Sequence, residues 1–183
     1  MIITLTQAKA LLKITGSTND TLISALIPEA EAKYLQIRNF PFLQIQADYK
    51  SGDKTLSNII LYPYSNTINC SFNYTTPVKY LNRFDYITNS VIDNYITDIN
   101  IYDDTVEIDT APSTTATSAL FTVYPQGAKL TAAKLIQYLM NSNSMNGLQS
   151  ESVGSYSWSK GSTGNPYGVP DDIFRSIKRY VTA

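Results

Sequence analysis

The run Ile99-Asn100-Ile101-Tyr102-Asp103-Asp104-Thr105-Val106-Glu107-Ile108 decides the fold class. On each side of the two aspartates, apolar and polar residues alternate. A strand turns successive side chains to opposite faces, so this spacing predicts two strands with one buried side. Aspartate tolerates tight-turn dihedrals, which places Asp103-Asp104 at the bend of a β-hairpin. The neighbouring sequence shares this character. Nine of the 14 tyrosines lie between Pro41 and Gly127, with many β-branched residues. Thr55 to Tyr64 and Ile68 to Tyr74 read as strands joined by the turn Ser65-Asn66-Thr67. Val78 to Leu81 and Tyr86 to Ile92 read as further strands. Ala111 to Ser118 reads as a polar loop, and Ala119 to Tyr124 as a final strand closed by Pro125-Gln126-Gly127.

Outside this region the spacing becomes helical. Thr6 is placed to cap a first helix that runs to Ile14, with Gly16 ending it. Ile23, Leu26, Ile27, Ala30, Tyr34 and Ile37 recur at steps of three and four, predicting a second helix from Asp20 to Arg38. Pro28 lies inside it. A proline removes one backbone bond and costs ~3 kcal/mol in a helix. The apolar stripe continues on both sides, so a kinked helix is expected rather than two short ones. Asn39-Phe40-Pro41 ends it. A third helix is expected from Leu130-Thr131 to Met140. An alternating segment from Leu148 to Ser159, a loop from Gly161 to Gly168, and a short helix opening Val169-Pro170-Asp171-Asp172-Ile173 follow. Asp171 and Asp172 at its start, with Arg175, Lys178 and Arg179 near its end, suit the helix dipole.

The whole reads as an α+β chain. A small helical bundle body, residues 1–40 and 128–183, carries a large β-rich insertion, residues 41–127. An extended C-terminal arm ends in the short helix. Such a Gly-rich arm buries little surface, and a helix of about three turns is marginal alone in water. Tyr156, Trp158, Ile173, Phe174, Arg175, Ile177, Lys178, Arg179 and Tyr180 are therefore the candidate partner-binding residues.

Charged residues make up only 16% of the chain, below the usual ~25%. Tyrosine, asparagine, serine and threonine replace them; tyrosine is enriched where proteins meet, and the same composition also follows from the codon bias of an AT-rich genome. A net charge of −1 argues against a protein that coats nucleic acid. Cys70 stands alone, so no intrachain disulfide forms. The N-terminal residues do not read as a secretory signal, and no apolar run has the length of a membrane span.

Histidine is absent, which removes His-based acid–base and triad chemistry and Cys/His zinc sites. Asp103, Asp104, Glu107 and Asp109 lack the spacing and the glycine of a calcium loop. Lys160-Gly161-Ser162-Thr163-Gly164 does not have the order of a phosphate-binding loop. No catalytic activity, no cofactor and no bound metal are expected.

Five segments, in order, resemble the head–tail connector (adaptor) proteins of tailed bacteriophages. These are Ile3 to Lys9, Asn19 to Ala30 with its internal proline, Phe121 to Gly127, Ser150-Glu151-Ser152-Val153-Gly154-Ser155-Tyr156-Ser157, and Val169-Pro170-Asp171-Asp172-Ile173. The likeness covers about half of the chain. The region from Pro41 to Ala119 is longer and richer in β-structure than in compact members. Leu130-Thr131 stands where a helix-starting proline is usual. The resemblance implies a structural virion protein made in the host cytoplasm. It forms a homo-oligomeric ring, of about twelve copies, under the portal protein at the capsid–tail junction. It extends the DNA channel, with DNA only in transient passage, and receives a tail or stopper protein. Two other readings stay open. One is a tail-completion or baseplate component. The other is a β-rich module, for instance for carbohydrate, using Tyr62, Tyr64 and Trp158.

Overall fold

Six strands close on one another in a computed structural model that describes residues 1–39, 42–62, 78, 81–144, 150–153, 156–159 and 166–177. They are β1 (Leu43–Tyr49), β2 (Thr55–Tyr62), β3 (Tyr86–Thr88), β4 (Asp93–Asn100), β5 (Thr105–Ile108) and β6 (Ala116–Tyr124). Their order round the barrel is β1-β2-β5-β4-β3-β6, with β6 returning to β1, and every pairing is antiparallel. The chain forms two compact units. The barrel occupies Pro41–Gln126, and the other unit joins Met1–Phe40 to Gly127–Ala183.

This corrects the expected fold class, a helical bundle body bearing a β insertion. The dominant structure is the closed barrel, and the reason is β1. Its sequence Leu43-Gln44-Ile45-Gln46-Ala47-Asp48-Tyr49 alternates, yet it lies outside the predicted strands. It pairs with β2 on one side and β6 on the other, turning a sheet into a barrel with its own sealed interior. Ile45 stands opposite both Leu61 and Phe121, and all three point inward and are buried. One residue on, Gln46 stands between Ile60 and Leu120, which are exposed.

Two irregularities interrupt β1, one toward each neighbour, around Asp48. The facing residues Asn58 (φ 52°) and Ser118 (φ 53°) take the left-handed conformation that one class of bulge uses. Asp48 bonds both. Its Oδ2 accepts from Asn58 Nδ2 and its Oδ1 from the Ser118 N–H, each at 2.7 Å. Ser118 therefore lies within β6, which begins at Ala116, and the expected loop is shorter at that end. The central hairpin is also corrected in detail. Its turn is the four residues Ile101–Asp104, because Asn100 Oδ1 accepts from the N–H groups of Tyr102 and Asp103. Val78 lies in a short helical turn rather than a strand. The expected strand Ile68–Tyr74 and the turn before it lie outside the described residues.

The second unit holds helices α1 (Leu5–Leu12), α2 (Asp20–Arg38), α3 (Ala128–Ser144) and α4 (Asp171–Ser176), with strands β7 (Ser150–Val153) and β8 (Tyr156–Ser159). Thr4, not Thr6, caps α1. Its hydroxyl accepts from the Gln7 N–H while Gln7 accepts from the Thr4 N–H, a reciprocal capping box. Lys13, at φ 56°, ends the helix before Gly16 is reached. Helix α2 runs unbroken through Pro28 and buries Ile23, Leu26, Ile27, Ala30, Tyr34 and Ile37, as the stripe predicts. Helix α3 packs on α1, α2 and α4. Its buried Ala132 and Ala133 are small enough for close approach, and Leu135 and Ile136 fill the space beside them.

Candidate functional site

Helix α4, within the predicted partner-binding segment, packs on α3. Helix α4 has six residues, and Ile173 and Ile177 are buried at 4% and 3% exposure. Polar contacts fasten it to α3. Thr131 Oγ1 meets Ser176 Oγ at 3.1 Å, and Lys134 Nζ lies 3.6 Å from Asp172 Oδ2. The Tyr138 hydroxyl donates to the Gly168 carbonyl at 2.8 Å. Gly168 has φ 64°, a conformation that glycine adopts without strain, and Val169 beyond it is fully buried. Tyr167 stacks on Phe174 with ring centroids 5.8 Å apart. The expected need of Ile173 and Ile177 for an outside partner is thus met within the chain. Arg175 remains open to solvent, 3.9 Å from Asp171 across one helical turn.

The alternating segment is a hairpin, whose partner strands the sequence reading did not find. Glu151 stands opposite Trp158 and Val153 opposite Tyr156. Lys178, Arg179 and Tyr180 lie outside the described residues. So does Tyr64. Tyr62 ends β2 in the barrel, whereas Trp158 belongs to the other unit.

Helices α2 and α3, with Gly168, line an open groove of about 510 Å³, formed by Glu29, Ala32, Lys33, Gln36, Tyr138, Leu139 and Gly168. Its α2 residues follow the same spacing as the buried stripe, displaced to the solvent side. That was the signal available for them. Lys134 sits one turn before Tyr138 on the same side of α3.

On the barrel, a polar hollow of about 400 Å³ includes Asp48, Asp53, Thr55, Asn58 and Thr115. The Asn58 amide and the Ser118 N–H hold the Asp48 carboxyl below its ordinary value. The Thr55 N–H and hydroxyl do the same for Asp53. Both are anions whose acceptors serve turns and bulges. Tyr86 and Tyr95 pack across β3 and β4 with centroids 3.7 Å apart. Burial, then the bond with Tyr95, pushes the Tyr86 hydroxyl upward, so it stays neutral.

Three of the acids near the central hairpin have structural partners. Asp103 accepts from Asn100 Nδ2, Asp104 from the Val78 N–H, and Asp109 from the Tyr95 N–H. Among the described residues no group of three or more His, Cys, Asp or Glu is placed to hold a metal ion. The same hairpin presents apolar side chains at its tip, where Ile101 is 48% and Tyr102 100% exposed. Among the described residues, no helix is long and apolar enough to cross a membrane.

No family model matches the chain, and no curated protein matches it.

Proposed function

We propose that this protein is a structural component of a tailed-phage particle, a head–tail connector. It assembles as a ring under the portal protein, lengthens the DNA channel and passes the junction on to a tail or stopper protein. It carries out no catalysis and needs no cofactor. The observation that carries this reading is the order of the five resembling segments. They supply α1, the proline-containing first half of α2, the strand leading into α3, the β7–β8 hairpin and the start of α4. The arrangement around them supports an assembly role. Recognition features are displayed on surfaces, such as the exposed hairpin tip and the α2–α3 groove. Asp103, Asp104 and Asp109 of the central hairpin serve its turn and neighbouring backbone. A near-neutral chain also suits a channel through which DNA slides without being held.

The test is electron microscopy of the purified full chain, alone and mixed with its cognate portal. Rings, or portals extended by a second layer of density, are expected. A protein that never joins the portal under conditions where portals are intact ends the reading.

A further inference from the structure

Three residues along one side of α3 hold the last described segment of the chain, and they hold it in reverse order. Thr131 meets Ser176, Lys134 meets Asp172, and Tyr138 donates to the Gly168 carbonyl. Steps of three and four put 131, 134 and 138 on one face of a helix. The segment from Gly168 to Ile177 therefore lies antiparallel along that face. Between the polar contacts, Val169, Ile173 and Ile177 are buried. Charge is matched as well, since Asp172 brings an anion to a lysine. Helix α3 thus carries a docking site whose occupant is a short peptide of known sequence.

Little else fixes α4 in place. At six residues it is far below the length at which a helix holds itself in water. Its two ion pairs are exposed and contribute little. Among the described residues, β7 and β8 pair only with each other, so no larger sheet anchors the connection between α3 and α4. A hairpin of two strands is marginal by itself. Helix α3, by contrast, is held by α1 and α2.

The contacts in this site are the same whether α4 comes from its own chain or from another copy. The home helix is favoured only by its tether. A flexible tether gives an effective concentration in the mM range, which falls as the tether lengthens, and this one runs from residue 145 to 167. A neighbour held close in an assembly presents its α4 at a comparable local concentration. At about 3.3 Å per residue, a connection of that length spans tens of ångströms, enough to reach an adjoining copy.

We infer that α4 is an exchangeable element. At high local concentration, Gly168–Ile177 of one copy docks on the α3 helix of a second copy through the contacts it makes at home. Thr131, Lys134 and Tyr138 of the receiving copy then hold Ser176, Asp172 and Gly168 of the donor. Each donor takes an α4 from another copy in turn, so no apolar face stays bare, and the exchange closes into a ring or a reciprocal pair. The exchange goes beyond the connector reading and does not depend on it.

Disulfide trapping in the full chain, with Cys70→Ser as background, tests this. Thr131 Oγ1 and Ser176 Oγ are 3.1 Å apart, close enough for cysteines at these positions to join. Single variants Thr131→Cys and Ser176→Cys, mixed and oxidised at rising concentration, are expected to give covalent dimers joined 131 to 176. Leu130→Cys, one position away and exposed, used in place of Thr131→Cys, is expected to give at least about tenfold fewer, because disulfide geometry is specific. A second pair of variants needs no oxidation. Lys134→Glu and Asp172→Lys each set like charges against the home contact, and only exchange in the mixture restores opposite charges, in both directions. At low salt the mixture is expected to sediment faster than either variant alone. Dimers no more abundant with Thr131→Cys than with Leu130→Cys, or a mixture that sediments no faster than its components, overturns the inference. The portal experiment decides the connector reading separately.

Discussion

The barrel and the helical unit solve the problem of closing around a core in different ways. The barrel is shut by backbone pairing. β1 bonds to both neighbours, and the interior is almost wholly apolar, from Ile45 and Leu56 to Phe121. The helical unit is completed by a late, short element, α4, fastened by a few side-chain contacts to α3. The first arrangement leaves the outside of the strands free to vary, and there the acids and the exposed Tyr102 are found. The second places its groove beside Gly168, just ahead of that late element. Stability and recognition are thus more separable in the barrel than in the helices.

The sharpest way to break this comparison is to remove the barrel's central aromatic ring. Phe121 is fully buried and packs edge-on against Tyr49 at 6.0 Å. Phe121→Ala should cost about 3–5 kcal/mol by denaturant unfolding. Hydrogen exchange should show the barrel amides losing protection together while α1–α3 keep theirs. Equal loss in both units would mean that they unfold as one, and the contrast would disappear.

A smaller effect is expected from Ile173→Ala. Core truncations of this kind cost roughly 2–5 kcal/mol, and a six-residue helix at the edge of the unit should fall at the low end. Exchange should quicken at residues 171–177 and leave the barrel unchanged. Global unfolding on this substitution would show that α4 is integral to the unit rather than fastened on.

Glu107→Lys should move stability the other way. It relieves the repulsion from Asp98 and gains about 0.2–1 kcal/mol in the barrel's unfolding free energy. A destabilised variant would show that Glu107 has a structural task and that the like-charge pair carries no cost.

The smallest effect concerns acid. Asp48 and Asp53 have folded values below the ordinary 3.8. Their contribution is therefore complete above the unfolded value and is lost as pH falls through the folded one. Both are at the surface, so the slope should be shallow. Asp48→Asn should flatten part of the acid limb below about pH 4 in a stability–pH curve. An unchanged limb would remove Asp48 as a pin of the two bulges.

Much of the local structure was legible in the sequence. The stripe from Ile23 to Ile37 predicts α2 through Pro28, and alternation predicts the β4–β5 hairpin. Closure was not legible. Strand pairing between β1 and β6 depends on residues far apart in sequence, and nothing in Leu43–Tyr49 names its partners. The turn of the hairpin was placed too tightly because the acceptor role of Asn100 outweighs the turn propensity of the aspartates. At the candidate site, the apolar stripe of the last helix was legible, but not its destination. Ile173 and Ile177 satisfy a neighbour in the same chain as readily as a partner. The groove residues Lys33 and Gln36 carry no distinguishing signal, because solvent-facing helical positions look alike in sequence.

Leu43 pairs with Val123, and α1 and α2 pack on α3, which begins only at Ala128. Each unit therefore joins an early segment to a late one. During synthesis, the first strand must wait for the last, and the first two helices must wait longer still. Long-range closure of this kind slows folding. Neither unit can close until its late segment has been made, so the early strand and helices spend that interval without the elements they pack on. Unpaired strand edges and uncovered apolar stripes are then open to wrong partners, the exposure that makes half-built chains prone to aggregate.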